Sequence, residues 1–165
     1  MITLVQGLRD MLTKVDIRAD MLQGQWGRLG ANAAGTDTPL VTPVAANADA
    51  QAPRSELVMI VKEAIAKNAG DAFYETIQAN DGTADDDGKF PYAFLGNGFM
   101  VEDDQLVGGA RTQADWTAAV PGVTRLTLNA LGFPTFAAQA DAVVGATEIG
   151  TFWNLRGNTV TYLIG

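Results

Sequence analysis

TLVQGLRDMLTKVDIRADML, residues 3–22, is the stretch on which the reading of the fold turns. Its Leu4, Leu8, Met11, Val15, Ala19 and Leu22 fall at spacings of three and four, which sets them along one face of an amphipathic helix. Thr3 with Gln6 fits a capping box, and Gly24 and Gly27 supply a stop. Asp10 and Lys14, four apart on the polar side, add roughly 0.2–0.5 kcal/mol. An isolated helix of this size is marginal in water, so its apolar stripe must dock, either on the chain's own core or on a neighbouring subunit. The expectation adopted is the neighbour, with Leu4, Leu8, Met11 and Val15 at the interface. Trp26, among Gln and Gly just beyond the helix, joins them as an anchor.

Outward from that stretch the composition changes. From Gly30 to Pro53, Pro39, Pro43 and Pro53 stand among Ala, Thr and Val, so extended or polyproline-like backbone is expected there. A connection of this length without structure is unusual inside a compact domain, and it reads as an arm held against a neighbour by Leu40, Val41 and Val44. Ser55 opens a second predicted helix to Ala69, with Leu57, Ile60, Val61, Ala64 and Ile65 apolar. The rest reads as β. Phe99–Val101 and Leu106–Val107 suggest a hairpin, and Val123 to Ala130 alternates like a half-buried strand. Ile149 to Leu155, turning at Arg156-Gly157-Asn158, pairs with Thr159 to Ile164, and its Trp153 reads as core or cross-strand packing. Ala137 to Val144 reads as a short helix. The predicted class is α+β: an N-terminal helical arm (1–29), an extended Pro/Ala-rich linker or arm (30–54), and a domain (55–165) with a helix packed on a mainly antiparallel sheet.

Composition narrows the function classes. The chain has 165 residues and a net charge of −8. Residues 1–70 hold seven basic and seven acidic side chains, so the whole excess lies in residues 71–165. That balance, with no basic run, argues against nucleic acid as a partner. There is no Cys and no His, which removes a disulfide framework, a thiolate nucleophile and the usual general base. Ser55 is the only serine and reads as a helix cap. No window approaches a membrane span and no secretory signal opens the chain, so synthesis in a cytosol-like compartment without a leader is expected.

The clearest candidate for chemistry is Asp81-Gly82-Thr83-Ala84-Asp85-Asp86-Asp87-Gly88, where Asp81, Asp85 and Asp87 are candidate ligands for a hard cation. The calcium-loop pattern fails, because Thr83 replaces its first acid and Phe94 stands where a bidentate Glu belongs. A solvated turn is the expectation, with no metal and no cofactor. Gly96-Asn97-Gly98 and Gly108-Gly109 lack the spacing of a phosphate loop.

A protein that works by contact needs none of the missing residue types. In character the chain resembles the virion proteins of tailed bacteriophages, head decoration or cement subunits and tail or neck components. That likeness implies a non-enzymatic homo-oligomer or a subunit among other virion proteins, in a virion or another extracellular assembly. Thr124 to Pro134, with Gly150-Thr151-Phe152 and the closing strand, resembles the sheet of minor pilins and implies a filament subunit as the alternative. The charges at 9, 10, 14 and 16 depart from the long apolar helix that opens such proteins. A carboxylate-dependent enzyme or a carbohydrate-binding module is the third class, and no residue pair is singled out for it.

Overall fold

Strands, not a helix, are formed by the described residues of the region where the spacing predicts a helix. The structure, a computed structural model, describes residues 2–4, 12–17, 19–22, 24–32, 38–62, 76–77, 91–94, 97–103 and 113–165. One six-stranded sheet is built from β2 (Leu12–Lys14), β3 (Asp16–Ile17), β5 (Trp26–Asn32), β6 (Pro39–Pro43), β7 (Leu57–Lys62) and β9 (Pro91–Phe94), in the order β2-β9-β7-β5-β6-β3. The second uses β1 (Ile2–Leu4), β10 (Phe99–Asp103), β11 (Arg125–Leu128), β12 (Pro134–Thr135), β13 (Gly150–Arg156) and β14 (Thr159–Ile164), in the order β1-β10-β14-β13-β11-β12. A small pair joins β4 (Met21–Leu22) to β8 (Thr76–Ile77). The described helices are single turns, α1 (Asn47–Ala50) and α2 (Gln113–Trp116), with a 3₁₀ turn at Arg54–Glu56.

The α+β expectation is therefore overturned: the described protein is mostly β, with no N-terminal helix and no helix packed on a sheet. Its physical origin is a coincidence of periods. Leu4 and Leu8, like Met11, Val15 and Ala19, are four apart, and four is both one helical turn and two strand repeats. The β-branched Val15 and Ile17 settle it, buried on the inner side of the first sheet. The expected helix from Ser55 fails at Leu57-Val58-Met59-Ile60-Val61. An apolar run that short fits a strand buried on both faces as well as a helix. The segment is β7, with Leu57, Met59 and Val61 on one side and Val58 and Ile60 on the other.

The expected arm is also part of this sheet. β6 runs antiparallel to β5 and parallel to β3, pairing Asp16 with Leu40 and Ile17 with Val41. Pro39 and Pro43 are its first and last residues, where a missing N–H does least damage to the ladder. β2 and β3 are opposite edges of the sheet, yet only Val15 separates them in the chain. The sheet therefore curls round on itself. It encloses one small core of Val15, Ile17, Met21, Val41, Val58, Ile60 and Ala93. Gly27 has no space for a side chain in this curl, since a Cβ there would meet Val41 Cγ1 at 2.5 Å and the Thr42 carbonyl at 2.7 Å.

The larger core lies between the two sheets, where Trp26, Leu57, Met59 and Val61 meet Val101, Leu126, Leu128, Phe152, Val160, Tyr162 and Ile164. Trp116 stacks on Phe152 at 6.1 Å between centroids and lies tilted at 5.6 Å from Phe136. Segments after β11 and before β13 clasp the first sheet: Trp26 N donates to the Gly132 carbonyl at 2.8 Å, and Thr147 Oγ1 donates to the Ala52 carbonyl at 2.6 Å. Arg54 sits 5.1 Å over the Trp26 ring and donates to the Leu57 carbonyl and to Asn97 Oδ1.

The Tyr162 hydroxyl crosses the core, donating to Met59 Sδ at 3.6 Å. Burial, reinforced by the charge of Asp103, pushes this phenol well above its usual 10.0. An unfolded chain sheds the proton near the ordinary value, while the folded one retains it. The stability from Tyr162 is thus present below that value and is lost as pH rises through the folded-state pKa. Thermal melts of parent and Tyr162→Phe between about pH 9 and about pH 11 check this, the parent losing stability more steeply than the variant. Equal slopes would count against a buried neutral phenol.

Candidate contact surface

The sequence of β13 decides what faces outward. Phe152 and Trp153 are adjacent, and successive strand residues point to opposite sides, so both rings cannot enter the core. Phe152 does, against Trp116. Trp153 is left 48% exposed. The register of β13 against β14 shifts between Phe152 and Asn154, which makes Trp153 the extra residue of a β-bulge. This places Trp153 and Asn154 both outward and returns Leu155 to the core. The strand pair read most clearly from the sequence, β13 with β14, is present, and of the two roles expected of Trp153, core or cross-strand packing, the core position is corrected.

The turn at 120–124 sits beside it. Gly122 N donates to the Phe152 carbonyl at 2.8 Å, and Phe152 N donates to the Thr124 carbonyl at 2.9 Å. The Thr124 hydroxyl accepts from Val120 N at 2.7 Å, and Gly122 adopts φ +72°, which closes the turn. Val120 and Val123 are left 53% and 67% exposed next to the strand that carries Trp153. Nearby on the outer face, Arg125 donates to the Thr151 hydroxyl at 2.6 Å, and its Nε lies 4.0 Å from Glu148 Oε2. Leu131 and Val144 are the other large apolar side chains largely exposed among the described residues.

The residues singled out from the sequence fall elsewhere. Val15, Trp26, Val41 and Val44 are buried inside the chain's own cores, and Leu40 is half-buried. Leu4 belongs to β1, paired with Val101. Leu8 and Met11 lie outside the described residues, as do the cation candidates Asp81, Asp85 and Asp87. No group of three metal-ligating side chains occurs among the described residues. The buried acids among them, Asp16 and Asp103, stand in different sheets. Neither carboxylate oxygen of Asp16 has a hydrogen-bond partner among the described residues. No described helix is long and apolar enough to cross a membrane.

Sequence reasoning missed Val120, Val123 and Trp153. The available signals were two aromatics side by side in a strand, and two valines flanking a Pro-Gly turn, which places them at a surface. Comparison with known protein families, characterised proteins and solved structures finds no match.

Proposed function

We propose that this chain is a non-enzymatic structural subunit of a large assembly, of the kind that decorates the head or builds the tail or neck of a tailed bacteriophage. One observation carries the reading: the large apolar side chains left exposed among the described residues all fall between Val120 and Trp153. Of these, Val120 and Val123 stand on a turn hydrogen-bonded to Phe152, the neighbour of Trp153, and apolar side chains exposed side by side mark a surface used for contact. The composition supports the same reading, since contact requires neither histidine nor cysteine. Its partners on this reading are copies of itself or other virion proteins, and its place is the assembled particle.

The contact residues are no longer those of an N-terminal helix and arm, whose place is taken by β2, β3, β5 and β6. Deleting residues 1–54 removes most of a sheet and is expected to unfold the protein. Native mass by light scattering tests the proposal. A species several times 17.4 kDa supports it. A species of single-chain mass at every concentration, with no association on mixing with other structural proteins of its particle, counts against it.

A further inference from the structure

Gly96-Asn97-Gly98 lacks the spacing of a phosphate loop, yet it holds the chain's one asparagine followed by glycine. Glycine has no side chain to hinder its own N, so in this dipeptide that N reaches the asparagine Cγ most easily. The pair lies just before β10, with both residues exposed. Gly98 adopts φ +78° with open space about it. Its N donates to the Ile164 carbonyl at 2.6 Å, at the end of the β10–β14 ladder, where a hydrogen bond opens most readily. The oxygen that gains negative charge when Cγ is attacked is Asn97 Oδ1, and Arg54 Nη2 already donates to it at 2.9 Å. Arg54 is half-buried over Trp26, and its other hydrogen bonds run to the Leu57 carbonyl at 2.8 Å and the Gly165 oxygen at 3.4 Å. Burial holds its pKa below the ordinary value, and no acidic side chain pairs with it among the described residues.

We infer that Asn97-Gly98 is a self-modification site whose product is a carboxylate held by Arg54. Gly98 N bonds to Asn97 Cγ as its proton passes to solvent, and the side-chain nitrogen takes up a proton and leaves as ammonia. Water then opens the cyclic imide, at Cγ to aspartate or at the main-chain carbonyl to isoaspartate, and either product adds one negative charge. Arg54 stands just before β7 of the first sheet and Asn97 just before β10 of the second. The reaction therefore turns a hydrogen bond to a neutral amide, linking the two sheets, into an ion pair. This inference does not rest on the assembly reading.

The full chain is incubated at mildly alkaline pH and its peptides are mapped by mass over time, with the urea-unfolded chain alongside. In the folded protein Asn97 is expected to lose its amide well ahead of every other asparagine. Arg54→Met keeps a long side chain over Trp26 but no donor, and it should slow the loss severalfold. Asn97→Asp, which leaves Arg54 in place, should raise the melting midpoint by about 1–4 °C over the parent. An Asn97 that stays intact in the folded protein while the unfolded chain is modified there overturns the inference. So does Arg54→Met reacting as fast as the parent, or a midpoint for Asn97→Asp at or below the parent's.

Discussion

Trp116→Ala is expected to lower the unfolding free energy by about 3–5 kcal/mol, the largest loss foreseen for a single truncation in this protein. Trp116 belongs to a single helical turn, so its contribution is packing and not local structure. It is fully buried, stacked on Phe152 at an interplanar angle of 17° and in contact with the ring of Phe136. Removing the indole leaves a cavity bounded by β13 and the segment after β12, both held by other contacts and unable to collapse into it. For a domain of this size the midpoint should fall by roughly 10 °C. Trp116→Phe retains an aromatic partner for Phe152 and should recover most of the loss. A truncation that costs less than about 1 kcal/mol would show that the core is not centred on this cluster.

Gly132→Ala is expected to cost about 2–4 kcal/mol, and the comparison with Gly122→Ala explains why. Both glycines adopt positive φ, +78° and +72°, so alanine at either position bears the left-handed penalty of about 1–2 kcal/mol. Around Gly122 there is open space. At Gly132 a Cβ would lie 2.5 Å from the Trp26 carbonyl and 3.2 Å from Val44 Cβ. The same residue accepts the hydrogen bond from Trp26 N, so relieving the clash breaks a link between the two halves of the fold. The difference between the two urea midpoints, at unchanged slope, isolates the close approach from the backbone strain. Equal losses would mean that the 129–133 turn yields freely and does not clasp the first sheet.

These two sites show how unevenly the fold was legible. β13 and β14 were readable because their pairing is local: alternating residues meet across a Gly-Asn turn with Gly157 at φ +58°. β11 was readable for a similar reason, with Leu126 and Leu128 inward and Arg125 outward. The first sheet was not, because all its ladders but that of β5 with β6 join residues far apart, as Gly27 joins Val58 and Met59 joins Phe94. Within a window of twenty residues, apolar groups four apart satisfy a helix and a strand equally. The prolines at 39 and 43 argued against a regular element, although they stand at the ends of one.

The candidate surface was misread at its two named tryptophans. Trp26, among glutamine and glycine, looked unpartnered. Its partners are Val44, Leu57 and Met59 across the sheet and Arg54 over its ring, none of them near it in sequence save by folding. Trp153, in the best-read hairpin, looked like core or cross-strand packing, and its 48% exposure removes the first of these. It faces out because Phe152 occupies the inward position, and the bulge then restores Leu155 to the core.

By itself the sequence determined the acidic balance, the lack of histidine and cysteine chemistry, and the closing strand pair, since each depends on residue identity or on neighbours close along the chain. The tertiary structure alone decided that β2, β3, β5 and β6 complete a curled sheet, which aromatic is buried and which is offered to solvent. Those outcomes depend on which distant segment removes a given side chain from water, and periodicity within one segment carries no record of that.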